Sequence, residues 1–484
     1  MSQNITVNII VLCYLAAMVL IGFIASKRIK NDSDFLVAGR TMGPILLAGG
    51  LAATELGGGT SIGIVEKAYG EWGLSSIWYI ITMAITFIVL AFIAPVLRGV
   101  LVKTVPEFFH KRYGEANGFV TTIILILPMI GLAAAQIIAS STILTVMTGW
   151  DFTVSTIVVT VVVVAYSTLG GMFALAYTDI VQIVIIVLGM ILVIPFALSN
   201  GGGWEYVTSS VPAEKWSLFD GMGIGTMIGL TVMYIGSFTV GQEVVQRYYS
   251  AKDAKAARNA SYITSAMYIF FAFVPAIIGI LLYGMVQNGT IDSAILSQYE
   301  GEYALPVMAM EVLPSFVIGI LFAALISATM SSASSDLMAA ASLFSNDIYK
   351  RYIKKSANSK EILKATKIAM IIVGILGFFV AISDFGSIIE LLMFSFALRA
   401  GGAFLPFLIG HFWNKPGAIA SMLSLVFGSL AVAGVENGVI PFFGLDPILL
   451  GLPVSAIFFF GATYIWPNKN KSFNLEYEKE NSDT

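Results

Sequence analysis

The stretch AATELGGGTS, residues 52–61, lies inside a run otherwise apolar enough to cross a bilayer. A carboxylate at the centre of a spanning helix costs on the order of 2.5–3.5 kcal/mol on insertion scales. Each glycine weakens a helix by roughly 1 kcal/mol relative to alanine. In lipid, irregular backbone survives only where it is buried in protein or lines a watery cavity. TELGGGTS therefore marks a place where a helix opens and turns free carbonyl and amide groups inward.

The surrounding composition sets the class. Of 484 residues, 57% are hydrophobic and 11% charged. The apolar residues fall in blocks about 20 long, the length that crosses roughly 30 Å of hydrocarbon as a helix. The fold class is all-α and polytopic, with thirteen expected spans near 5–25, 44–65, 74–97, 118–147, 153–169, 177–198, 222–241, 260–287, 315–344, 366–383, 386–410, 417–435 and 447–466. No ten-residue alternation of a membrane barrel is present. Block 5–25 has no basic segment before it and no small-residue cleavage site after it, so a retained helix is expected rather than a signal peptide. The lone Cys13 excludes an internal disulfide and is expected to pack.

Basic residues set the orientation. With the N-terminus outside and the C-terminus inside, 23 of 26 Lys and Arg fall on inner segments, from Lys27, Arg28, Lys30 and Arg40 through Arg247 to Lys469, Lys471 and Lys479. Lys67 and Lys215 are outer, and Arg399 lies within a span. The stretch YKRYIKKSANSKEILKATK, residues 349–367, reads as a membrane-proximal positive segment, with specific lipid recognition as the alternative. No segment is large enough for a nucleotide-binding or sensor domain, and a polar tail is expected after Trp466.

Enzyme chemistry has little to stand on. His110 and His411 are the only histidines, and HExxH, CxxC and GxxxxGK[ST] are all missing. The polar residues concentrate instead in ISATMSSASSDLMAAASLFSND, residues 326–347. Ala328, Ser331, Ser332 and Ser335 share one helical flank, at offsets of three, four and seven. Hydroxyls and carbonyls without extra carboxylates suit a hard, weakly charged cation. Serines at this spacing also let helices pack closely. Opened carbonyls at residues 52–61 together with these hydroxyls make a candidate sodium cage, and broken helices at mid-membrane commonly build such sites. A channel would need pore-lining rings, and a receptor an output domain; single-channel recording and counterflow separate both from a carrier.

DFLVAGRTMGP (34–44), STLGGMFALAYTDIVQ (167–182) and ISATMSSASSDLMAAASLFSNDIYK (326–350) together resemble the sodium:solute symporter family, over nearly the whole chain. The resemblance implies sodium-coupled uptake through a LeuT-like core of two inverted five-helix repeats, about 44–198 and 222–412 within 44–412. Residues 1–43 and 413–466 would then be peripheral, and 467–484 a cytoplasmic tail. It implies a main sodium site from the carbonyls of Ala53, Leu56 and Ala328 and the hydroxyls of Ser331 and Ser332. A second sodium in some members matches Asp179, Ser334 and Ser335; the alternative for Asp179 is a cap at an inner helix end.

LGGGTSIGIVEKAYG (56–70) and ALAYTDIVQIVIIVLGMILVIPFAL (174–198) resemble the family's choline branch. That branch implies an aromatic cage acting by cation–π attraction. It has tryptophans where this chain has Glu55 and, in the seventh span, near Gly241. The proline branch is acidic at the Glu55 position. The expected solute is an amino acid or other amine, with a choline-like amine or a carboxylate as alternatives. Glu55 faces the solute, supports sodium, or pairs with Arg399. Gly57, Thr60, Trp78, Gln136 and Phe238 are further candidate lining residues. Bland alternatives are an interfacial role for Trp78, an interhelical hydrogen bond for Gln136 and packing for Phe238. The expected partners are the solute, sodium and the lipid bilayer, without nucleic acid. The chain is expected to be a monomer or loose oligomer with no cofactor beyond the coupling ion and no enzymatic activity.

Overall fold

The computed structural model describes residues 5–27, 31–100, 102–297, 303–383, 387–442 and 445–468. Arg28, Lys30, Lys469, Lys471 and Lys479, and the tail expected beyond residue 468, lie outside these. Among the described residues the chain is helical, with one isolated bridge between Met42 and Ala251 and no strand.

The helices that matter follow the apolar blocks. They are α1 (Ile5–Ser26), α2 (Pro44–Glu55), α3 (Gly59–Tyr69), α4 (Ile77–Gly99), the short α5 (Val105–Tyr113) and α6 (Glu115–Thr148). Next come α7 (Phe152–Thr168), α8 (Gly171–Asn200), α9 (Ile224–Val240), α10 (Gln242–Ser250) and α11 (Ala254–Gln287). The set closes with α12 (Ser315–Leu343), α13 (Ser359–Ala381), α14 (Ile388–Phe412), α15 (Ala418–Glu436) and α16 (Ile448–Ile465). Among the described residues ten helices are long and apolar enough to span, and the bent pairs α2–α3 and α9–α10 raise this to twelve. The thirteenth expected span is α7, which with 17 residues falls short of that length. It is separated from α8 by Gly171, whose φ of 55° only glycine adopts freely.

α12 is the axis of the bundle. Every residue from 321 to 343 is buried, and α1, α6 and α8 pack on it. Its alanines and serines allow that closeness, since small side chains let backbones approach. α1 is apolar on both sides but buried on only one: Val7, Val11 and Met18 face the bundle, while Ile5, Leu12 and Phe23 are exposed.

Segments expected on one side of the membrane gather at one end. Lys103 pairs with Asp32 at 2.7 Å and Arg351 with Glu115 at 2.8 Å. Arg98 donates to the carbonyls of Ala251 (2.5 Å) and Lys252 (3.2 Å), just past the C-terminus of α10. At the other end Lys215 donates to the carbonyl of Tyr69 and Asn200 to that of Val312.

The second bent span corrects the expected seventh span at 222–241. Helix continues beyond Gly241 as α10, at 52° to α9, so Arg247 is buried in the core rather than held in an inner loop. Arg399 on α14 clamps both halves. Its Nε–H donates to Ser237 Oγ of α9 at 2.6 Å, and its two Nη groups donate to Glu243 of α10 at 2.9 and 2.6 Å. Arg399 therefore pairs with Glu243, not with Glu55. A Cβ on Gly241 would stand 2.5 Å from Glu243 Oε1 and 2.7 Å from Arg399 Nη2, so a tryptophan has no room there.

Breaking one partner of a buried ion pair leaves an uncompensated charge, at about 3–5 kcal/mol. Arg399→Met is expected to lower stability by that order, and Arg399→Met with Glu243→Leu to recover most of it. Thermal unfolding in detergent measures both; equal losses would show that the cost does not come from leaving the Glu243 charge uncompensated.

Candidate functional site

α2 ends at Glu55, and Leu56 (φ −82°, ψ 62°) carries the chain out of the helix before α3 resumes at 63°. The groups freed by the break are met by side chains. Gly58 N–H donates to Gln136 Oε1 at 2.8 Å. The carbonyl of Gly57 accepts from Ser61 Oγ at 2.7 Å and from Thr60 Oγ1 at 3.2 Å. From α12, Ser331 and Ser332 donate to the carbonyl of Ala53 at 2.9 and 3.3 Å. Ser331 Oγ also lies 2.9 Å from the carbonyl of Ala328. Four of the five expected ligands thus meet between α2 and α12 around the Ala53 carbonyl, and the fifth, Leu56, is the residue at the kink. These are carbonyls and hydroxyls; among the described residues no cluster of three or more His, Cys, Asp or Glu occurs.

On the other side of the break lies a small cavity of about 20 Å³. Glu55, Gly57, Thr60 and Gln136 line it, as do Tyr79, Met83, Leu132, Asp336, Leu392 and Phe396. Two expected residues do not reach it. Trp78 sits at the outer rim, where its Nε1–H donates to the carbonyl of Leu218 and its ring lies 5.8 Å from that of Phe219. Phe238 stands behind Phe396, ring centroids 5.6 Å apart, in a fully buried aromatic group with Phe87 and Tyr234.

The second expected cation position is differently made. Asp179 lies two turns inside α8 and is fully buried, so it is not a helix cap. Its Oδ2 is 2.9 Å from Arg247 Nη1, and Arg247 Nη2 donates to Ser335 Oγ at 2.6 Å. The guanidinium thus stands between two of the three groups expected to hold sodium. Ser334, the third, donates to the carbonyl of Met330 one turn back. A Cβ on Gly50 would come within 2.3 Å of Arg247 Nη1, so α2 approaches this pair through a glycine.

A sequence profile of the sodium:solute symporter family matches residues 35–428. The chain belongs to the sodium:solute symporter family. Its members are transporters, and this symporter is a multi-pass membrane protein. It is 24% identical over 461 residues to an osmoregulated proline transporter of Bacillus subtilis, covering 92% of each chain. It is 28% identical to a sodium/sialic acid symporter of Proteus mirabilis, over 88% of each. A high-affinity choline transporter of Drosophila melanogaster is 28% identical over 77% of this chain and 61% of its own. In structure it superposes on a Na⁺-coupled sialic acid symporter in its substrate-bound outward-open state, with a TM-score of 0.80 at 21% identity over 96% of this chain and 99% of that one. The fold is LeuT-like, as the resemblance implied.

Several cavity residues of this symporter escape sequence reasoning. Tyr79 and Met83, and Leu392 and Phe396, are each four apart on one helix, as Leu132 is from the expected Gln136, so each pair presents one face. Phasing α4 on Trp78 rather than Tyr79 turned that face away. Asp336 follows directly on the serine flank, eight residues after Ala328.

Gly57 joins the two sites. A Cβ there would meet Gln136 Oε1 at 2.5 Å and Ser332 Oγ at 2.6 Å. Gly57→Ala is expected to force both apart, at about 1–3 kcal/mol of overpacking, which is roughly 5- to 150-fold in binding. Sodium-induced thermal stabilisation of the purified variant measures it; an unchanged sodium midpoint would free Gly57 from this role.

Proposed function

We propose that this symporter couples the inward movement of sodium to uptake of a small amine-bearing solute, an amino acid or other amine. It acts in the plasma membrane, N-terminus outside and C-terminus inside. The transport core is residues 44–412, with repeats near 44–198 and 222–412. The observation that carries this reading is the convergence of Ser331 and Ser332 on the Ala53 carbonyl at a helix break, with an acid-bearing cavity beside it. Its relatives, transporters of proline, sialic acid and choline, agree with a small polar solute.

Sodium is cargo as well as driving force. The carbonyls of Ala53, Leu56 and Ala328 and the hydroxyls of Ser331 and Ser332 are proposed to ligate it, with the hydroxyl protons rotated away. By bridging α2 and α12 it stabilises the outward-open arrangement and holds the break in shape for the solute. Closure and inner opening then release both towards low cytoplasmic sodium. Linkage requires that solute tighten sodium binding by the factor by which sodium tightens solute binding. The position of Asp179 and Ser335 is filled by the Arg247 guanidinium, so the proposed ratio is one sodium per solute.

The test is uptake into proteoliposomes under an inward sodium gradient. Equal rates under potassium or proton gradients would sink sodium coupling. Each of Ser331→Ala and Ser332→Ala removes one hydroxyl from a cation. That is worth about 1.5–3 kcal/mol, and the expected rise in half-saturating sodium is roughly 10- to 150-fold. Flux measurements giving two sodium ions per solute would return Asp179, Ser334 and Ser335 to the role of a second site.

A further inference from the structure

The cavity beside the break holds two carboxyl groups, Glu55 and Asp336, and among the described residues no cation forms an ion pair with either. Glu55 is 9% exposed and Asp336 4%. Glu55 Oε1 has no hydrogen-bond partner among the described residues, and it lines the cavity directly. The two buried arginines nearby are engaged elsewhere. Arg399 is held bidentately by Glu243 and by Ser237, and Arg247 by Asp179 and Ser335. Among the described residues no ion pair reaches Glu55 or Asp336. Buried carboxyl groups without a partner stay ionised only at high cost and otherwise hold a proton, so an occupant with positive charge and N–H donors is the one that would stabilise both in their ionised form.

We propose that the solute is a small organic cation with N–H donors and no carboxylate, an alkylamine or diamine, held between Glu55 and Asp336. This rests on the sodium-coupled amine reading above and narrows it. An ammonium would donate hydrogen bonds to both carboxylates, and the cavity, closed down to about 20 Å³ here, would open along Met83, Leu132, Leu392 and Phe396 to take its carbon chain. A zwitterionic amino acid would place its own carboxylate in a cavity that already holds two. A quaternary amine, lacking N–H donors, would leave both carboxylates unbonded. Asp336 is therefore the residue that separates amines from amino acids, and Glu55 the one that anchors the ammonium at the break.

Four probes of equal length differ only in charge: butylamine, 1,4-diaminobutane, 4-aminobutyrate and butyrate. Thermal stabilisation of the full-length protein in detergent, with sodium or with potassium, reads their binding. The expected result is sodium-dependent stabilisation by one or both amines and none by 4-aminobutyrate or butyrate. Asp336→Asn should weaken amine binding at least about tenfold, the lower bound for one hydrogen bond to a charged group, while Asp336→Glu retains it within a few-fold. Cooperative thermal unfolding of both variants without solute, at a midpoint near the parent's, shows that they fold. If 4-aminobutyrate or butyrate binds as well as the amines, the inference is overturned. It is equally overturned if sodium stabilises the protein and neither amine does. Failure of sodium to stabilise the protein at all, with uptake indifferent to the sodium gradient, overturns the underlying reading and this one with it.

Discussion

A helix cannot be opened inside a bilayer unless each backbone group it releases is met, because no water is there to take its place. Most of this structure follows from that constraint at residues 53–61. Gln136 on α6 is committed to Gly58 N–H, the hydroxyls of Thr60 and Ser61 to the carbonyl of Gly57, and Ser331 and Ser332 to the carbonyl of Ala53. Each commitment brings another element to the break. α12 must lie close enough for its serines to reach, which its small side chains permit, and α6 must present an amide rather than an aliphatic side chain. The oxygens that stabilise the break are also the ones a small cation would use, so the device that makes the helix tolerable is the device that makes it a site.

The second break is held by charge instead of by hydroxyls. Arg399 touches both α9 and α10 and has no freedom left for the cavity. Arg247, farther along α10, ties that half-helix to α8 through Asp179 and to α12 through Ser335. Two cations and two anions are thereby neutralised in pairs. Two further buried acids, Glu55 and Asp336, share one cavity. Charge balance in the interior is thus decided by where the arginines point, not by how many acidic residues the spans contain.

What could be read in the sequence, and what could not, divides along physical lines. The all-helical membrane class follows from twenty-residue apolar blocks, and the first break announces itself by three consecutive glycines beside a carboxylate. The second break leaves no such mark. Gly241 has φ −63° and ψ 118°, a conformation open to any residue, and its glycine is required by the Arg399–Glu243 contact, which only the folded chain reveals. Arg247 looked like a positive-inside residue because α10 reads as polar in isolation; its charge is masked by Asp179, 68 residues away in sequence. Trp78 and Tyr79 differ by one position, or about 100° around a helix, and composition does not fix that phase. Asp336 was in view but stood among serines that already had an explanation.

The residues that end α2 and begin the break also stand between the proposed cation site and the cavity. Ala53 turns its carbonyl towards α12, Glu55 lines the cavity, and Gly57 lies against Gln136 on one side and Ser332 on the other. A shift of this short segment cannot move one set of contacts and spare the other, because they belong to adjacent residues of one chain. Coupling between ion and solute then needs no relay across the bundle. In the proposed arrangement the stiffness of a few bonded residues, held at one end by hydroxyls and at the other by an amide, is what would make the two occupants feel each other.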